Sequence, residues 1–273
     1  MYKHINHDEE KKLFHEILKA NAPHRMLLIE APAGYGKSKL IEQFQSMAED
    51  CGVTCVMAAL HTGLGNDPTQ ILYKLATGLE DQHFPTFNAL FKQETPVKVS
   101  IQRNLQFGGS IQANTDADAR DRRVARLSQL NTAWLSDIKN WCATHDTGPI
   151  VILIDSYNKQ ATGSSTPVVN QEVIDWLEGH FLASLCRVPR LRLVLSGQHL
   201  PAENIEWERR CVRRKLEGIR DINAWHDFCH HHQLNLGDRV GVILRTLITT
   251  HSGQPQKIAT TLLTDFKNWS YSE

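Results

Sequence analysis

Residues 26 to 40, MLLIE followed by APAGYGKSKL, pass from an apolar run through a glycine-rich turn into Lys-Ser and an amphipathic stretch. The pattern is that of a phosphate-binding loop, G-x-x-x-x-G-K-[ST], with Ala31 where the first glycine is expected. Its chemistry is local. Peptide N–H groups from Ala33 to Lys39, with Gly34, Tyr35 and Gly36 at the turn, can curl about phosphate oxygens, Lys37 can reach the outer phosphates, and Ser38 offers a hydroxyl to Mg²⁺. Met26 to Ile29 reads as a buried strand, and Leu40, Ile41, Phe44 and Met47 recur at helical spacing, so a helix N-terminus points at the anion.

A chain of 273 residues that is 41% apolar can build a large core, which excludes a disordered polymer. Lys+Arg and Asp+Glu balance at 30 each, so no global field announces nucleic acid or an anionic membrane. Neither a signal peptide nor an apolar run of membrane-spanning length is legible, and the expectation is a cytoplasmic protein with free thiols. Cys51 and Cys55 are spaced like half a zinc site, but no second pair follows, so they read as ordinary thiols.

The rest of the chain alternates strand and helix, the α/β signature. Leu13, Phe14, Ile17 and Leu18 share one helical face, with Asn6 and Asp8 as caps, and VTCVMAA at 53–59 is a strand expected to run parallel to the first. Asp67-Pro68 caps a helix that turns Ile71, Leu72, Leu75 and Leu79 inward. From 95 to 123 the pattern breaks. Alternating Val97, Val99 and Ile101, a Phe107-Gly-Gly turn and an Asp-rich run read as an inserted ribbon or loop, either a partner-binding insertion or a flexible spacer. A helix is expected from Val124, with Leu127, Leu130, Trp134, Ile138 and Trp141 on one stripe, ending before Pro149.

IVILID at 150–155 is apolar enough to be buried on both faces, and its terminal Asp155 falls at the sheet's carboxyl edge, where open α/β sheets bind ligands. Asp155 reads as the acid that holds Mg²⁺ through water. LRLVLS at 191–196 is a further buried strand, ending in Gly197, Gln198 and His199. Between them Val173, Ile174, Trp176, Leu177, Phe181 and Leu185 form a covering helix, and CVRRKLEGI from Cys211 is a possible last strand. Arg209, Arg210, Arg213, Arg214 and Lys215 make a dense basic patch, which opens a DNA-contacting alternative beside a solvated strand edge. His226 and His230, spaced i, i+4 beside Cys229, His231 and His232, read as an exposed helix face in the absence of a partner element for a metal site.

These residues together resemble the STAND class of P-loop NTPases, over most of the chain. APAGYGKS, IVILIDSYNK, LRLVLSGQHLP and Gly253-Gln254-Pro255 carry the resemblance. It implies a five-stranded parallel sheet flanked by helices over 1–217, with the insertion at about 95–123, and a helical lid over 218–273. It also implies Mg²⁺ and ATP, rather than GTP, as ligands, with Gly253 and Pro255 near the adenine, and a separate protein partner or self-association. The chain departs from the family pattern where relatives often carry a water-polarising acid, holding Ser156 and Asn158, and where they often carry a sensor arginine, holding Gln198. With Asp155, Asn158 and Gln198 as the catalytic candidates, slow or absent hydrolysis is expected, because an amide accepts no proton and neutralises no phosphoryl charge. The expectation is a nucleotide switch acting on a partner; the alternative is a DNA-directed ATPase like the helper proteins of transposition.

Overall fold

The computed structural model describes residues 7–60, 67–93, 111–144, 148–158 and 169–266, without the side chains of 111–119. Its described strands are β1 (Met26–Glu30), β2 (Thr54–Ala59), β3 (Ile150–Tyr157), β4 (Leu191–Gly197) and β5 (Cys211–Lys215), forming one sheet in the order β2-β3-β4-β1-β5 with every pairing parallel. The fold is an α/β sheet of the expected kind. Strands β3 and β4 are almost wholly buried, as central strands between two helical layers must be, and Arg192 in β4 is buried with its apolar neighbours.

Alternation along the strands sorts their side chains between two cores. Met26, Leu28, Ile152, Ile154, Leu193 and Leu195 face α3 (Pro68–Gly78), α4 (Pro85–Lys92), α5 (Ile111–Thr144) and the helical run of α6 (Gln171–Trp176), a π turn (Leu177–Phe181) and α7 (Leu182–Leu185). Leu27, Ile29, Val151, Leu153 and Val194 face the other way, onto α1 (Asp8–Leu18) and α2 (Lys37–Asp50) through Phe14, Ile17, Leu40, Ile41 and Phe44. Phe14 and Phe44 stack at 4.4 Å, joining α1 to the helix that leaves the glycine-rich turn. The last three helices, α8 (Ile222–His231), α9 (Val240–Thr250) and α10 (Pro255–Asp265), close around an apolar cluster of their own, centred on Trp225, Phe228, Leu244, Ile258 and Leu262.

Two expectations are corrected. Helix α5 begins at Ile111, so the second half of the supposed insertion, 111–123, is helical, while 94–110 lie outside the described residues. Among the residues of α5 with described side chains, 120–125 are exposed, so no apolar stripe betrayed this helix. At α1 the cap position is His7, with no side-chain capping bond, and Asp8 opens the helix with Glu9 and Glu10 in its first turn, where acids suit the helix dipole. Asp67 does cap α3, accepting from Thr69 N at 2.8 Å ahead of Pro68.

Buried Arg192 ties β4 to α1. Its guanidinium donates to the carbonyls of Lys19 and Ala20 at 2.9 and 3.2 Å, to Pro189 O at 2.8 Å, and to Ile17 O, so it satisfies the carbonyls that end α1 without any carboxylate. Burial beside Arg25 pushes it down to about 10.

Candidate functional site

The turn between β1 and α2 puts Gly34 at φ 83° and Gly36 at φ 89°, left-handed values that an L side chain tolerates poorly. Gly36 is the N-cap of α2, so Lys37, Ser38 and Lys39 form the first turn of a helix whose N-terminus faces the carboxyl edge of the sheet. The Lys37 ammonium lies against the loop, 2.5 Å from Ala31 O and 2.9 Å from Pro32 O. Burial lowers its pKa, against an opposing pull from the Asp155 carboxylate.

Strand β4 separates β1 from β3, yet Ser38 Oγ donates to Asp155 Oδ2 at 2.7 Å across 117 residues of sequence. Asp155 is only 4% exposed and accepts two further hydroxyls, Ser156 Oγ at 3.1 Å on the same oxygen and Ser196 Oγ on Oδ1. The extra hydroxyls come from the strand ends. A one-residue bulge in β3 shifts the register from Ile154↔Leu195 to Tyr157↔Gly197 and holds Ser156 at φ 67°, which turns its hydroxyl back onto the acid. Gly197 leaves no room for a side chain there, since a Cβ would fall 2.0 Å from Tyr157 O.

This oxygen set fits a small hard cation. A hydroxyl and a carboxylate oxygen already in contact can become two ligands of Mg²⁺, with water and phosphate oxygens as the remainder. Ser38 and Asp155 would hold the ion, which would neutralise phosphate charge, and Lys37 with the loop amides would hold the phosphates.

Asn158 and Gln198 come together at the same edge, where Gln198 N donates to Asn158 Oδ1 at 3.1 Å. Gly253 and Pro255 are buried at the turn into α10. Gly253 O accepts from Ile219 N at 2.8 Å, while a Cβ on Gly218 would fall 2.3 Å from Ser252 O, so these two glycines meet backbone to backbone. The residues on either side of Pro255 reach the glycine-rich turn between β1 and α2. Gln254 Nε2 donates to Ala33 O at 2.8 Å and Gln256 N to Gly34 O at 3.1 Å. Sequence reasoning missed Ser196, Gln254, Gln256 and His7. Ser196 alone carried a local signal, a hydroxyl ending a strand that is apolar apart from Arg192.

Two members of the basic run at β5 are paired within the fold, while Arg209, Arg210 and Lys215 are exposed. Arg213 grips Glu208 with two donors, at 2.7 and 2.8 Å, lies 5.4 Å from the Trp207 ring, and thereby lowers the Glu208 carboxyl. Arg214 pairs with Glu9 and approaches Glu10 to 3.8 Å.

No family model matches this chain, and no curated protein matches it. Among solved structures it is similar to a chain of Drosophila ORC bound to AT-rich DNA and Cdc6, at 9% identity and TM-score 0.39 over 96% of this chain and 80% of that one. The corresponding complex on GC-rich DNA gives 9% and 0.38 over 97% and 82%. The Pif1 helicase of Candida albicans gives 13% and 0.33 over 86% and 46%. The fold stands on the strand order and pairing of the chain itself.

Proposed function

We propose that this chain is an ATP-binding switch of the STAND P-loop type, in which Mg·ATP lies between a core of residues 1–217 and a helical lid of residues 218–273 and regulates a protein partner. The observation that carries the reading is the 2.7 Å contact of Ser38 with Asp155 beside Lys37, a hydroxyl, an acid and an ammonium converging at the N-terminus of α2. ATP in preference to GTP follows from the family resemblance.

Slow or absent hydrolysis follows from the side chains after Asp155. Ser156 spends its hydroxyl on Asp155, and Asn158 is an amide engaged with the backbone of Gln198. Neither can take a proton from water. The contacts of Gln254 and Gln256 with the loop give the lid a direct way to respond to phosphate arrival. The DNA-directed alternative drew on Arg209 to Lys215, of which Arg213 and Arg214 are paired with Glu208 and Glu9 and Arg209, Arg210 and Lys215 remain exposed; salt-sensitive binding to duplex DNA would favour it over the switch.

A melting experiment tests the reading. At a hundredfold excess over Kd, Mg·ATP adds ~2.7 kcal/mol, which for a chain of this size raises Tm by roughly 5 to 10 °C. Lys37→Ala should abolish the rise. A wild-type curve indifferent to millimolar Mg·ATP rejects nucleotide binding.

A further inference from the structure

The bulge in β3 does more than aim the Ser156 hydroxyl. Strict alternation after Ile152 and Ile154 would turn residue 156 into the core shared with α3 to α7 and residue 157 onto the opposite face. The extra residue reverses this, so Tyr157, opposite Gly197, takes the inward place and is wholly buried there. A phenol at such depth needs a partner for its hydroxyl. Tyr157 Oη finds one by donating to the Glu178 carboxylate.

Glu178 is supplied by an irregularity of the facing helical run. It is the second residue of the π turn Leu177–Phe181, whose two ends are buried in the same core while Gly179 and His180 are exposed. Such turns are rare within helices and recur at functional sites. An insertion in a strand and a π turn in a helix thus meet at one charge-assisted hydrogen bond.

What that bond holds is the backbone two residues from Asp155. Ser156 sits at φ 67°, a conformation that a non-glycine residue keeps only where its surroundings impose it. Before it, Asp155 O accepts from Leu60 N at 2.9 Å; after it, Asn158 Oδ1 accepts from Gln198 N at 3.1 Å. Between these two ties, Glu178 clamps the Tyr157 side chain. On the backbone so fixed, Asp155 keeps Ser196 on Oδ1 and both Ser38 and Ser156 on Oδ2.

We propose that Tyr157 and Glu178 are positioning residues of the cation site, their hydrogen bond keeping the bulge that sets the Asp155 carboxylate against Ser38. The inference rests on the nucleotide-binding reading above. Neither side chain supplies an oxygen to the ion; both act through Asp155. Groups that orient a metal ligand typically contribute about ten- to a hundredfold to metal affinity.

Calorimetric titration of the full chain with ATP, once with Mg²⁺ and once with EDTA, tests it in wild type, Tyr157→Phe, Glu178→Ala and Glu178→Gln. The ratio of the two Kd values reads the gain that the cation gives. Phenylalanine keeps the buried ring and removes the hydroxyl; glutamine keeps an acceptor carbonyl. Tyr157→Phe and Glu178→Ala should each cut the Mg²⁺ gain about tenfold while changing the metal-free Kd less than about twofold, and Glu178→Gln should retain most of the gain. The first two combined should cost no more than either alone, since the bond is already gone. If Tyr157→Phe fails to fold, the Glu178 variants decide: a loss in Glu178→Ala that Glu178→Gln restores supports the assignment, and a wild-type gain in both overturns it. A wild-type gain in folded Tyr157→Phe overturns it too, as does a loss shared in equal proportion by metal-free ATP, which would make the pair part of the core alone. Wild-type ATP binding that Mg²⁺ does not strengthen overturns the cation site, and this inference with it, while leaving phosphate binding intact. Failure of wild type to bind ATP under either condition instead overturns the nucleotide reading on which the inference rests.

Discussion

The seating of Gln254 on the glycine-rich turn can be measured by two alanines placed on neighbouring glycines. Gly34 and Gly36 have nearly the same left-handed φ, 83° and 89°, so replacing either by alanine costs a similar ~1–2 kcal/mol of backbone strain. Their surroundings differ. A Cβ on Gly36 meets only His7 Nε2 at an ordinary 3.6 Å, whereas one on Gly34 would sit 2.6 Å from Gln254 Nε2 and 2.9 Å from Gln256 Oε1. Those are the far ends of flexible amides, which swing away cheaply, but the movement forfeits the Gln254–Ala33 hydrogen bond, roughly 0.5–1.5 kcal/mol. Gly34→Ala should therefore be the more destabilising by about 1 kcal/mol, a difference of roughly 2 to 4 °C in Tm. In a double-mutant cycle with Gln254→Ala, most of that excess should vanish, since the bond is already absent. Urea denaturation of the five nucleotide-free proteins supplies the comparison. Equal losses at the two glycines, with Gln254→Ala strictly additive to Gly34→Ala, would show that the amide does not rest on the loop in solution.

Replacing Arg192 by methionine removes the guanidinium donors from the carbonyls at the end of α1, of which Lys19 O keeps Ala22 N, and should cost ~3 kcal/mol in urea denaturation; a loss below ~1 kcal/mol would mean that water replaces the guanidinium. Stability should also fall in acid because of His7. Its folded pKa of about 4 lies below the ordinary 6.5, so the unfolded chain binds the extra proton first; its contribution is complete above pH 6.5 and is lost as pH falls towards 4. That contribution is at most ~3 kcal/mol, and His7→Phe should flatten this limb of the urea midpoint against pH. Hydrolysis should be slow in wild type, and Asn158→Glu with Gln198→Arg should raise phosphate release at least tenfold, about 1.4 kcal/mol off the barrier; rapid wild-type turnover indifferent to Asn158→Ala and Gln198→Ala would place catalysis on other residues.

What could be read in advance was whatever the local sequence dictates. Strands β1, β3 and β4 were legible because a strand buried on both faces is mostly apolar, even with Arg192 interrupting β4, and the glycines of the loop because their φ values admit little else. The start of α5 was not, since a helix turn that faces water carries no apolar period, and 120–125 are all exposed. The partners around the loop were illegible for another reason. Ser38 and Asp155 could be matched by the roles the resemblance implies, and Gly253-Gln254-Pro255 stood out as a motif, but nothing local says that Gln254 reaches Ala33 across 221 residues or that His7 reaches Gly36 from before the first helix. Strand order, β4 lying between β1 and β3, is what makes Ser196 a neighbour of Asp155.

The apolar residues of the last three helices are turned toward one another, on Trp225, Phe228, Leu244, Ile258 and Leu262. Toward the glycine-rich turn and the segment after β5 they present a seam of amides and bare glycine backbone, with Gln254 and Gln256 on one side and Gly218 against Gly253 on the other. Parting such a seam wets hydrogen-bonding groups that water can satisfy and exposes little hydrocarbon. On the switch reading proposed above, the work of opening would then be nearly independent of the work of unfolding, and a small free energy delivered at the loop would tip one without touching the other.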